Sequence, residues 1–506
     1  MMAHWLMAPI VLPMIGGIIQ ILVGYAPLKL RRILAVLTSV GILISACVLM
    51  SMSVGGDITI YQLGNWPAPF GIVLVLDHLS ALMLMLTAIL GICCQVYAIS
   101  GTDEYSRAFH SLFLFQLMGL NIAFLTGDLF NLFVAFEVLL IASYGLVLYG
   151  PGKRRTVPGL HYVVLNLVGS AMFLIGVGLI YSVTGTLNMA DLASRIPQLE
   201  GNQQALAAAG GLILMVVFGL KAAVVPLCFW LPKAYANAAA PVAALFAVMS
   251  KVGVYAIIRV YQLIFGEQAG ELAGLGMEIL FPAGLVTLAL GVFGIVGASG
   301  MRTLVAWQVV VSVGTLLSAV SLGHPDSISA ALFYLLSTTF VTAGLFLLID
   351  MVSKQRGSVD DRIVTAPRMN YRTLLSTLYL FGAVAAVGLP PLSGFIAKLL
   401  LLKSVQTNVE LAALWSVVIA GSFISVVAYS RAGSIVFWGT TDGYVHDAPQ
   451  ISLKEKVSTG ILIGMSVAML ALAGPINAYT VAAAEQLHNP DNYRVVLEQL
   501  PVEVKR

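Results

Sequence analysis

Along this chain, long apolar stretches alternate with short polar or Gly/Pro-rich punctuation, and the stretches are of helix length rather than strand length. They predict helices at about 5–25, 32–54, 73–99, 108–126, 129–149, 160–184, 207–225, 240–265, 275–299, 302–322, 327–350, 373–402, 408–435 and 456–480. About 20 residues of helix cross a hydrocarbon core, so the pattern is that of an all-α polytopic membrane protein with about 14 spans in one domain, residues 1–506. A polar loop is expected over Thr186–Gln204 and a polar C-terminal tail over Val481–Arg506. The N-terminal stretch lacks a basic lead and is too long for a signal segment, so it is expected to remain as the first helix.

Two segments carry helix breakers. The seventh reads GLKAAVVPLCFWLPKAYANAAAPVAAL, with Pro226, Pro232 and Pro241, and the twelfth contains VGLPPLSGFIAK, with Pro390, Pro391 and Gly394. Proline removes a backbone donor, and lipid offers no replacement, so these breaks are expected to face protein or a wet cavity. Broken helices at matching places in two halves point to an ion site; packed proline kinks are the plain alternative.

Composition adds exclusions. Hydrophobic residues make up 59% and charged residues 10%, against about 45–50% and 25% in soluble domains, which excludes a water-soluble globule. The net charge of +3 includes no long single-sign run, so nucleic acid is not an expected partner. Cys47, Cys93, Cys94 and Cys228 lie in apolar stretches without metal-ligand spacing, and the glycine clusters lie inside apolar helices without a nucleotide fingerprint. No cofactor and no enzymatic centre are therefore expected; an ion gradient or a partner subunit must supply the energy.

Lys29, Arg31, Arg32, Lys153, Arg154, Arg155, Lys354, Arg356, Arg362, Arg368 and Arg372 fall in alternate loops, while Asp57, Asp191, Glu200, Glu267, Glu271 and Glu410 fall in the others. The positive-inside rule puts the first group in the cytoplasm and both termini outside.

The informative residues are ionisable groups deep in apolar runs: Glu137, Lys221, Lys251 and Lys398. Each central charge costs roughly 2.5–3.5 kcal/mol on an insertion scale, so they must face the interior. A neutralising Glu137–Lys221 pair is one reading. A relay of titratable groups is the stronger one, because burial favours the neutral amine while a nearby carboxylate favours the ammonium. Asp77 and His78 read as membrane-edge groups, and Asp128 as either an edge group or a cation-admitting one. His161 reads as either a satisfied interior histidine or a proton carrier. His324 and His446 read as solvated, and Arg259, Lys403 and Arg431 as snorkelling near helix ends.

The segments DHLSALMLMLT, FNLFVAFEVLL, GLKAAVVPLCFWLPKAYANAAAPVAALFAVMSKVGVYAIIRVY and VGLPPLSGFIAK resemble the proton-translocating antiporter-like family, the large membrane subunits of respiratory complex I and of Mrp-type cation/proton antiporters. The resemblance implies two inverted five-helix repeats, helices 4–8 (about 108–265) and 9–13 (about 275–435), with helices 7 and 12 broken. It also implies a midplane proton relay through Glu137, Lys221, Lys251 and Lys398. The form WLPKAY is similar to the D-type subunits of Mrp antiporters, with Tyr235 where complex I relatives carry histidine. That implies Na⁺ and H⁺ as transported ions in a bacterial inner membrane, with an A-type large subunit and small membrane subunits as partners. The eleventh helix departs from the family, with Ser337 and Thr342 where many relatives have histidine and lysine. The hydroxyls of Ser337, Thr338, Thr339 and Thr342, with water, are expected to serve instead. The competing expectation is a proton-pumping subunit of complex I or of a membrane-bound hydrogenase.

Overall fold

The computed structural model describes residues 2–68, 70–150, 152–444 and 449–498; His446 lies outside them. Helices α1 (Ala8–Leu22) and α2 (Leu28–Ser53) lead into an antiparallel hairpin of β1 (Thr59–Gln62) and β2 (Val73–Leu76), in which Thr59 faces Leu76. The first run of long helices is α3 (His78–Ala98), α4 (Phe109–Leu125), α5 (Leu129–Val147) and α6 (Thr156–Thr184). After the short α7 (Met189–Arg195) come α8 (Gly201–Ala222), α9 (Trp230–Asn237) and α10 (Ala240–Leu263). The second run is α11 (Met277–Val296), α12 (Met301–Val320), α13 (Pro325–Arg356), α14 (Arg372–Val387), α15 (Ser393–Lys403) and α16 (Asn408–Gly433). Strand β3 (Ala366–Arg368) pairs in parallel with β4 (Thr440–Tyr444), and α17 (Leu453–Ala471), α18 (Ala473–His488) and α19 (Asp491–Glu498) follow.

The core is where the two runs meet. Every residue of α10 is buried, as is nearly all of α13, and the two helices pack on each other. Small residues let backbones approach closely, which substitutes in lipid for the missing hydrophobic drive. A Cβ on Gly314 of α12 would meet the Leu288 amide nitrogen of α11 at 2.3 Å.

All fourteen expected segments contain a helix, but fourteen separate crossings are not confirmed. Among the described residues, eleven helices are long and apolar enough to cross a membrane, or up to twelve if α17 and α18, bent by 85°, count as one span. Helices α4 and α14 are shorter, at 17 and 16 residues.

Three sequence expectations need correction. Residues 73–76, assigned to the third helix, are strand. Their VLVL run alternates on the hairpin, and Asp77 starts α3 with a capping box in which Ser80 N donates to Asp77 Oδ1 at 2.8 Å and Asp77 N to Ser80 Oγ at 2.9 Å. The expected polar tail is helical over most of its described length, in α18 to His488 and α19 from Asp491 to Glu498, and docks on the bundle: the His78 amide donates to Gln486 Oε1 at 3.0 Å and Tyr493 OH to Asp77 Oδ2 at 2.6 Å. Finally, Asp77 and Arg259 are not solvated, although they lie at one end of the bundle. They are 1% and 3% exposed and form a bidentate ion pair, with Arg259 Nη2 at 2.9 Å from Asp77 Oδ1. Arg259 cannot snorkel, because α10 is surrounded by protein on every side.

The alternation of loops survives. The hairpin, Gly127, Asn188, Met189 and Tyr493 gather on one face: Gly127 N donates to Val73 O and Met189 N to Gly127 O, at 3.0 and 2.9 Å. The basic loops gather on the other. There Arg32 binds Asp103 through two 2.7 Å bonds, Lys354 bridges Asp350 and Glu455 at 2.8 and 2.7 Å, and Arg155 Nε donates to Asn237 O at 2.7 Å.

Burial would raise the Asp77 carboxyl, but Arg259 and Tyr493 hold it down at about 2. Asp103 is likewise held at about 2 against burial by Arg32 and His110. Such depressed carboxylates contribute stability that is complete above the ordinary value of 3.8 and is lost as pH falls toward 2. Arg259→Met strands the Asp77 charge, and the expected loss is about 3–5 kcal/mol. Thermal melting of the purified complex at neutral pH checks this: the melting temperature should fall sharply with Arg259→Met and recover substantially when Asp77→Asn is added.

Candidate functional site in the broken helices

Helix α8 stops one residue after Lys221. Ala223 takes the left-handed conformation (φ 67°), and Val224 N closes the helix end on Gly219 O at 2.9 Å. The chain then needs partners for backbone groups with no water at hand. Trp230 Nε1 donates to Leu220 O at 3.3 Å, and Val225 N donates to Thr287 Oγ1 of α11 at 3.0 Å, before α9 begins.

The second break repeats this design. Helix α14 ends at Val387, Gly388 is left-handed (φ 86°), and Leu389 N closes on Val384 O at 3.0 Å. Gln308 Nε2 donates to Ala386 O at 3.1 Å, and Lys398 Nζ to Val387 O at 2.6 Å. Gly394 is required here, since a Cβ would lie 1.9 Å from Ala385 O. A buried lysine accompanies each helix end: Lys221 lies in the last turn of α8 itself, and Lys398, from α15, donates to the end of α14, the negative end of its dipole.

The four expected relay residues occupy distinct environments. Glu137, half-buried on α5, accepts from Ser170 Oγ of α6. Lys221 is 5% exposed; its Nζ has no hydrogen-bond partner among the described residues and lies 4.6 Å from the centroid of the Phe136 ring. The lysine therefore leans on the neighbour of Glu137 rather than on its carboxylate, and the two form no ion pair among the described residues. Lys251, fully buried, donates to Ser312 Oγ of α12 at 2.7 Å. Lys398 also donates to Ser422 Oγ of α16 at 2.7 Å.

The weaker candidates separate. Asp128 is the N-cap of α5, where Asn131 N donates to its Oδ1 at 2.8 Å, and burial raises its carboxyl above the usual range. His161 is exposed on α6, so it is not an interior histidine. Ser337 reaches across to Ser393 Oγ at the start of α15, at 2.7 Å. Thr339 and Thr342 bond back to carbonyls of their own helix, and Thr338 is buried with its carbonyl accepting from Thr342. Of these four hydroxyls on α13, then, only that of Ser337 links two helices.

Sequence reasoning missed Ser170, Gln308, Ser312 and Ser422. Gln308 and Ser312 stand four apart in the apolar run WQVVVSVG, a spacing that puts both on one helix face; that signal was readable. Ser170 and Ser422 give none, since an isolated serine in a membrane helix commonly bonds its own backbone.

Residues 126–425 match the family described as NADH:quinone oxidoreductase/Mrp antiporter, transmembrane. The chain belongs to this antiporter family. It is 41% identical to the D-type subunit of a probable K(+)/H(+) antiporter of Rhizobium meliloti, covering 96% of both chains. It is 34% identical to the D-type subunit of the Na(+)/H(+) antiporter of Alkalihalophilus pseudofirmus, covering 97% of this chain and 99% of that one. A chain of the Mrp complex from Dietzia has the same fold, with a TM-score of 0.87 at 27% identity over 98% of this chain and 99% of that one. Both breaks and all four expected relay residues lie within the matched family region.

An unpartnered buried ammonium destabilises the state that contains it. Lys221→Met is therefore expected to assemble as well as the parent and to melt at the same or a higher temperature, while exchanging no ions. Lys221→Arg should also be inactive, because guanidinium does not release its proton. Thermal melting and ion exchange on the same preparations check both outcomes.

Proposed function

We propose that the protein is the proton-conducting subunit of a multisubunit monovalent cation/proton antiporter of the Mrp type. The observation that carries this reading is the pairing of two broken helices, each with its C-terminal end at a buried lysine, in one bundle with Lys251 and Glu137. Lysines in such surroundings alternate between ammonium and amine at small cost. A proton arriving near Glu137 passes to Lys221, then to Lys251, and then to Lys398. Asp128 and the hydroxyls around Ser337 lie at the margins of this route. The redox-driven alternative is disfavoured by full-length relatedness to D-type antiporter subunits.

The chain then acts as a secondary transporter subunit in a bacterial inner membrane, with the basic face toward the cytoplasm and both ends outside. An A-type large subunit and small membrane subunits complete the cation path. Na⁺ is the exchanged ion on the sequence reading; the 41% identity to a subunit named for K⁺/H⁺ exchange favours K⁺ as the second reading.

In everted vesicles carrying the whole complex, Glu137→Ala is expected to abolish exchange while the complex still copurifies, and Glu137→Asp to retain part of it. Wild-type exchange by Glu137→Ala would sink the relay. Parallel titrations with Na⁺ and K⁺ identify the cation, and the chain expressed without companion subunits should give negligible exchange.

A further inference from the structure

Helix α12 lies between the two halves of the relay and contacts Lys251 and the α14 break at once. Ser312, which accepts from Lys251, and Gln308, which holds the Ala386 carbonyl, are one turn apart on the same face. Gln308 is 1% exposed. Its amide orientation is fixed, because only the NH₂ group can donate to a carbonyl. Its Oε1 is consequently left as a buried acceptor with no partner among the described residues. Buried amides are normally satisfied on both atoms, and an unsatisfied one is destabilising.

The carbonyl that Gln308 holds adjoins the one that Lys398 holds. Ala386 O and Val387 O are successive groups at one helix end. Gln308 and Lys398 therefore bear on the same helix end. We propose that Gln308 is a positioning residue joining the Lys251 and Lys398 sites: its N–H fixes the α14 end, and its free carbonyl oxygen accepts from a water that bridges toward Lys251 and Ser312. This rests on the relay reading of the lysines. It assigns the passage between the two halves to α12 and to a neutral side chain, which can orient a water without trapping the proton.

The test uses the intact complex in vesicles, with Gln308→Met, which keeps the length but neither donates nor accepts, and Gln308→His, which keeps one donor and one acceptor. Gln308→Met is expected to assemble normally, to lose about tenfold in maximal exchange rate, and to keep its half-saturating cation concentration within about twofold; Gln308→His should recover part of the rate. A wild-type rate in Gln308→Met overturns the proposal. If Gln308→Met does not assemble, Gln308→His decides: assembly with measurable exchange supports the proposal, and failure to assemble makes the residue purely structural and overturns it. Lys398→Ala is measured alongside. Wild-type exchange there would mean that the relay itself is wrong, whereas a dead Lys398→Ala beside a normal Gln308→Met would reject the Gln308 assignment alone.

Discussion

A backbone carbonyl inside a bilayer must find a donor within the protein, and this constraint organises the middle of the molecule. Ending α8 and α14 inside the bundle leaves several carbonyls without their usual helical partners. The donors recruited are the Trp230 indole, the Gln308 amide and the Lys398 ammonium. The same bonds that make the breaks tolerable therefore locate the charges. Lys398 is at once a structural donor and a titratable group, so gaining or losing its proton changes how well the helix end is held.

The rest of the fold keeps that arrangement dry and rigid. α10 and α13 are enclosed by other helices, and glycines such as Gly314 bring α11 against α12 closely enough to fix where Gln308 and Ser312 point. Ion pairs are placed mainly at the two ends of the bundle, where Arg32, Asp103, Lys354 and Glu455 serve one face and Asp77 and Arg259 the other. The centre is left with ammonium groups held by hydroxyls, carbonyls and a ring, partners that do not commit them to one charge state.

Much of this was legible in the sequence because its signals are local. Apolar length gave the helices, prolines gave both breaks, and a lysine in an apolar run has few places to go. The family resemblance added the expectation of an inverted repeat and of a relay order. What stayed hidden depends on contacts between distant segments. Asp77 and Arg259 each look like edge residues when read alone, and only their pairing across 182 positions makes burial possible. VLVL at 73–76 continues an apolar run and reads as helix until its strand partner at 59–62 is known. The polar composition of 481–498 hid a segment in which Gln486 and Tyr493 have buried partners at the start of α3. At the centre, hydroxyl partners such as Ser170 and Ser422 were invisible because serine carries no burial signal.

The buried Asp77–Arg259–Tyr493 cluster also constrains the order in which the molecule can be made. Its aspartate precedes α3, its arginine lies near the end of α10, and its tyrosine lies 416 positions after the aspartate. Chains emerge from the ribosome N-terminal end first. The carboxylate must therefore wait at the membrane surface, hydrated, until α10 delivers the guanidinium, and the hydroxyl that completes the cluster arrives much later. The ion pair thus works as a late fastening, which lets a sequence with a buried charge near its beginning be inserted without ever holding that charge alone in lipid.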